Sequence, residues 1–111
     1  MASQRRTLKI GLVGAGMFGG DVHLPVYAQL QRNGLSPWLG RIGLDDLARM
    51  AGDISIEFAG LATRTEESAR SRQSEYAALG LDFPVYHGHA PWEELLEKTP
   101  DLDILAVATP D

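Results

Sequence analysis

The chain has 111 residues, 44% hydrophobic and 23% charged, with a formal net charge of −5 and no cysteine. Those values suit one small globular domain, exclude disulfides and thiolate metal sites, and argue against a basic footprint for nucleic acid. No apolar run is long enough to span a membrane, and the lack of cysteine fits a reducing, cytoplasmic setting.

Residues 1–7 read as a polar tail. The stretch Ser3-Gln4-Arg5-Arg6-Thr7-Leu8-Lys9 loosely resembles a twin-arginine export signal. It lacks the apolar region and cleavage site such a signal needs, so a solvated tail is expected. Residues 8–13 predict a buried parallel strand, interrupted at Gly11 where a neighbour approaches. Gly14-Ala15-Gly16-Met17-Phe18-Gly19 follows directly. This is the glycine spacing that hands a first strand to a helix across a dinucleotide pyrophosphate. Gly14 permits the turn, Gly16 lets backbone N–H groups approach phosphate, and Gly19 lets the helix pack close. The helix start then offers orphan N–H donors to the anion.

A helix is predicted over residues 18–32, with Val22, Val26 and Leu30 facing the core. Pro25 should kink it near His23 and Leu24, and Asn33-Gly34 should stop it. His23 reads as a capping or packing histidine rather than a general base. Residues 35–55 are too long for a simple connection and read as an insertion. Turns are expected at Ser36-Pro37 and over residues 40–43, and Leu44, Leu47, Ala48 and Ala51 suggest one short helix ended by Gly52. Trp38 is expected to anchor this stretch by packing.

Alternating Ile54, Ile56 and Phe58, then the apolar residues 59–62, predict strand two. Thr63-Arg64-Thr65 ends it. Thr65 is the expected N-cap of a helix reaching about Leu79, with Glu66 and Glu67 in its first turn and Gly80 as its stop. Residues 83–86 predict a short strand, marked as an edge by Pro84. His87-Gly88-His89 offers two imidazoles without a third ligand and reads as a loop, so no metal site is assigned. Pro91 opens a helix whose apolar face is Trp92, Leu95 and Leu96, and Thr99-Pro100 ends it. Glu93 and Glu94 read as solvated first-turn acids, and Tyr76 and Tyr86 as packing residues. Residues 102–108 predict a strand buried on both faces.

The order β-α-insertion-β-α-β-α-β implies an α/β fold. It is the first half of a Rossmann-type, doubly wound parallel sheet, with strand order 3-2-1-4 and the remainder truncated. In such a sheet, ligands bind outside the carboxyl ends of the strands where the order reverses, here between strands one and four.

With these pieces in hand the chain resembles the amino-terminal domain of the Gfo/Idh/MocA oxidoreductases. The resemblance rests on residues 9–19, on His23-Leu24-Pro25, on Val85-Tyr86 with Trp92-Glu93-Glu94-Leu95-Leu96, and on residues 102–110 ending in Thr109-Pro110. It covers the chain apart from the insertion. It implies nicotinamide-dependent redox chemistry on a sugar, polyol or similar small polar substrate. Gly14, Gly16, Met17, Phe18 and Gly19 would form the pyrophosphate loop, and Thr109 and Pro110 the turn beside the nicotinamide end. Asp111 stands where the family has asparagine. The family's catalytic lysine motif and substrate domain have no counterpart in these residues. No catalytic residue is therefore assigned, the chain is expected to be a fragment of a longer homo-oligomeric enzyme, and the fragment alone is expected to be inactive.

NAD-binding versions of the fold place an acid at the end of strand two for the ribose 2′-OH. This chain has Thr63, Arg64 and Thr65 there, which favours the 2′-phosphate of NADP and leaves NAD as the second choice. Two other readings use the same pattern: a non-catalytic nucleotide-sensing or structural module, and an S-adenosylmethionine-binding domain. The latter would prefer an acid where Arg64 stands.

Overall fold

The computed structural model describes residues 6–109, with backbone alone at Met17 and Phe18. Of the expected tail at residues 1–7, residues 1–5 lie outside the described residues, as do Pro110 and Asp111, whereas Arg6 and Thr7 are not tail but the start of the first strand, paired with Ile54 and Ser55.

Four parallel strands form one sheet in the order β3-β2-β1-β4. They are β1 (Arg6–Val13), β2 (Ile54–Ala62), β3 (Val85–Tyr86) and β4 (Ile104–Val107). The expected strand order and the α/β class hold. Ile10 lies opposite Phe58 and Gly11 opposite Gly60, so Ala59 is an extra residue on β2. The helices are α1 (Leu24–Asn33), α2 (Ser36–Arg41), α3 (Asp45–Met50), α4 (Glu66–Ala77) and α5 (Pro91–Lys98).

One face of the sheet carries the main core. Leu12, Leu24, Phe58 and Leu61 are essentially sealed from solvent there, with Tyr76 and Phe83 beside them. Burying each such side chain contributes about 1.5–3 kcal/mol. Phe58 stacks on Tyr27 of α1 at 5.6 Å between centroids and meets the edge of Phe83 at 4.8 Å. Gln31 completes this docking, its Oε1 accepting the Phe58 N–H at 2.7 Å. On the opposite face Leu95 of α5 fills the space over two strand glycines, Gly11 and Gly60. Gly11 therefore does mark a close neighbour.

Several expectations are corrected. The first helix is not one α-helix from residue 18. Residues Met17–His23 form a π-helical turn, and α1 follows with Pro25 in its first turn. The break falls at His23 and Leu24, where the missing N–H of Pro25 placed it. The wider turn rotates the helix, so Leu24, Tyr27 and Ala28 meet the core while Val22 and Val26 are exposed. In the insertion two helices form rather than one. Ser36-Pro37 starts α2 instead of making a turn, Gly40 lies within α2, and Gly43 turns the chain toward α3 at φ +81°. Ser36 Oγ donates to the Ala48 carbonyl at 2.7 Å, closing α2 on α3. Trp38 is half-buried and carries the Arg41 guanidinium 5.2 Å above its ring. β4 is not buried on both faces: Ile104, Leu105 and Val107 are exposed, because β4 has β1 as its one strand neighbour among the described residues.

Candidate functional site

The carboxyl ends of the strands are held in register by their own backbone. Gly14 N–H donates to the Ala62 carbonyl and Ala108 N–H to the Val13 carbonyl, both at 2.8 Å. Thr63 N–H donates to the Tyr86 carbonyl at 2.9 Å, and Gly88 N–H to the Arg64 carbonyl at 3.1 Å. The four strand ends thus form one continuous rim.

A crevice of about 540 Å³ opens on this rim. Gly14, Ala15 and Gly16 form its floor beside Val13, and Thr63 and Arg64 form the side after β2. Thr109 stands after β4, and His89 with Pro91 and Trp92 of the first turn of α5 closes the remaining side. A crevice of this size is in the ordinary range for small-molecule sites. Among the described residues no aspartate or glutamate lines it, although the whole chain carries a net charge of −5. An anion entering it meets no like charge from the described lining residues.

The glycines divide as expected. Gly14 has φ +112°, and a Cβ there would lie 2.6 Å from the Ala108 carbonyl oxygen. The turn and the end of β4 could not both keep their places around a larger residue. A Cβ on Gly19 would overlap the Gly14 carbonyl oxygen, so the turn folds tightly onto itself. Gly16 is different: nothing lies within 4 Å of the Cβ it lacks. Its smallness serves no packing need among the described residues. It leaves open backbone facing the crevice.

Of the ten residues expected to bind cofactor, Gly14, Gly16, Thr63, Arg64 and Thr109 meet at the crevice. Gly19 sits behind the turn. Thr65 is the N-cap of α4, its Oγ1 accepting the Ser68 N–H at 3.2 Å, and this hydroxyl is used in holding the helix. The side chains of Met17 and Phe18, and all of Pro110, lie outside the described residues. His89 and Trp92 were missed. The expected apolar face of Trp92, Leu95 and Leu96 is buried at Leu95, whereas Leu96 is exposed and Trp92 is exposed at the mouth of the crevice. It occupies the first turn of α5, where the helix points at the rim. His23 stands at the N-cap position of α1 without a side-chain capping bond, and its Nδ1 lies 2.8 Å from the Tyr27 hydroxyl.

Among the described residues no group of three or more histidines and carboxylates could hold a metal ion, and no helix is long and apolar enough to cross a membrane. Comparison of the chain with protein-family models, curated proteins and solved structures gave no match, and nothing in them identifies the Gfo/Idh/MocA family.

Proposed function

We propose that this chain is the dinucleotide-binding part of a nicotinamide-dependent oxidoreductase of the kind it resembles. NADP is the preferred cofactor, NAD the second, and the substrate is a small polar carbinol or carbonyl compound. The observation that carries the reading is the crevice at the carboxyl ends of β1, β2 and β4, lined by no acid among the described residues. There an unobstructed glycine backbone, an exposed arginine and a threonine face one space. These residues fit the group. Gly14 and Gly16 would admit the pyrophosphate, Thr63 and Arg64 would take the 2′-phosphate, and Thr109 would lie toward the nicotinamide end. When bound, the nicotinamide supplies hydride transfer. The residues of this chain bind and orient it.

Titration of NADP and NAD into the wild-type chain and Arg64→Ala tests this. A charge-assisted hydrogen bond contributes roughly 1.5–3 kcal/mol, so NADP binding should weaken by about one to two orders of magnitude. NAD binding should stay nearly constant. Equal losses for the two cofactors, or tighter binding of NAD by the wild type, would remove the phosphate role from Arg64. Failure of the wild type to bind either one would overturn the proposal as a whole.

A further inference from the structure

Helix α4 lies behind the glycine turn, and two of its side chains reach that turn. The Arg72 Nε donates to the Ala15 carbonyl at 3.2 Å and its Nη2 to the Gly16 carbonyl at 3.4 Å. Its Nη1 lies 3.1 Å from Asp21 Oδ1 and 3.3 Å from Glu75 Oε2. One helical turn on, the buried Tyr76 donates its hydroxyl to the Gly20 carbonyl at 3.3 Å. Pro25 has no N–H to offer the carbonyls of Gly20 and Asp21, and the tyrosine supplies a donor to the first of these.

The peptide bonds here are trans, so each C=O and the following N–H point in opposite directions. The Ala15 carbonyl held by Arg72 turns the Gly16 N–H away from α4, and the Gly16 carbonyl, shared between Arg72 and the Gly20 N–H at 2.7 Å, turns the Met17 N–H away likewise. Gly16 borders the crevice and Arg72 does not. All three guanidinium nitrogens are engaged, two on carbonyls and one on carboxylates. A lysine could neutralise Asp21 and Glu75, but only a planar fork can also hold two carbonyls in fixed directions. Gly20 belongs to the same device, because a Cβ there would run into the Arg72 guanidinium.

We propose that Arg72 is a positioning residue for the crevice: it fixes the peptide planes of the glycine turn so that the turn's amides are set for an anionic ligand before that ligand arrives. The ligand's identity rests on the dinucleotide reading above; the clamp itself does not.

Two variants of the 111-residue chain test it. Arg72→Lys keeps the charge and loses the fork. Gly20→Ala keeps Arg72 and pushes its flexible end aside, while alanine is the better helix former. Both should melt within a few degrees of wild type and bind NADP and NAD alike about tenfold more weakly, as expected for a lost set of hydrogen bonds. That pattern differs from Arg64→Ala, where one cofactor alone suffers. Amide ¹H–¹⁵N resonances should move in residues 14–20 and hold elsewhere. Wild-type affinity and unmoved amides in both variants would overturn the proposal. So would affinity that falls only in step with melting temperature, which marks a merely structural arginine. If Arg72→Lys fails to fold, Gly20→Ala decides by the same criteria. If the wild type binds neither dinucleotide, the functional reading fails, and the amide shifts still decide the clamp.

Discussion

Leu95→Ala is the perturbation that best probes how α5 is attached. Leu95 is fully buried, with its two methyls against the backbone of Gly11 and Gly60. Leucine-to-alanine changes in cores cost about 2–5 kcal/mol, more where the surroundings cannot collapse into the space. Here the facing strand positions are glycines, whose backbone is fixed by strand pairing, and Leu102 and Tyr86 at the margins are the side chains that can relax inward, so about 3–4 kcal/mol is expected. For a chain of this size each kcal/mol lowers the melting temperature by about 4–8 °C, giving a fall of more than ten degrees. The companion change is Gly60→Ala, whose Cβ would lie 2.8 Å from a Leu95 methyl. Alone it overpacks the site and costs about 1–3 kcal/mol. Combined with Leu95→Ala, the new methyl enters the vacated space, and the pair should be less damaging than the sum by more than 1 kcal/mol. Urea denaturation of the four proteins measures this. Additivity within about 0.5 kcal/mol would mean that Leu95 and Gly60 do not share one packing site, and the account of α5 docking would fall.

Gly16→Ala should leave the melting temperature unchanged while abolishing most dinucleotide binding, whereas Gly14→Ala should destabilise the fold itself; thermal melts beside cofactor titrations separate the two. Burial pushes the Tyr27 and Tyr76 phenols above their usual value of 10.0, with Glu75 adding to the effect at Tyr76. Their contribution to stability is then complete below pH 10 and is lost as pH rises through the raised folded values. Tyr76→Phe should flatten that alkaline loss, and an unchanged slope in denaturation between pH 9 and 11 would count against it. Lys9 Nζ lies 2.7 Å from Asp101 Oδ2, which holds the carboxyl below its usual range and raises the amine. Asp101→Asn should remove a small, salt-sensitive part of the acid dependence, lost in the wild type as pH falls through the lowered carboxyl value. The exposed edge of β4 should drive self-association; Val107→Lys should shift sedimentation toward monomer, and identical profiles would refute this.

Much of the architecture was legible because short-range chemistry decided it. Alternation at Ile54, Ile56 and Phe58 marked β2, the Thr65 hydroxyl announced α4, and Pro91 announced α5. The crevice was legible in part, since Gly14, Gly16, Thr63, Arg64 and Thr109 all follow strand ends. The misses have a common origin in geometry that a local period does not carry. Val22 and Val26 have helical spacing, but the π-helical turn changed which face met the sheet. Residues 104–107 have a buried strand's composition, but their burial depends on neighbours, not on the strand itself. Trp92 shares a stripe with Leu95, yet it sits where that stripe leaves the core. Arg72 had an available signal: it falls three residues after Ala69 and four before Tyr76, on the buried side of α4, where an arginine needs a reason.

Ala59 works as a frameshift in the sheet. Side chains on a strand alternate between faces, so Phe58 and Leu61 would point to opposite layers in an uninterrupted β2. With one residue unmatched between Ile10 and Gly11, both enter the same core, and Gly60 falls beneath Leu95. The first half of the strand is thus phased by α1 and the second half by α5. Deleting Ala59 would restore perfect alternation and ruin the protein, since either Phe58 or Leu61 would be turned out of its layer. The carboxyl end of β2, with Thr63 and Arg64 beyond it, is addressed to the crevice by that one uncounted residue.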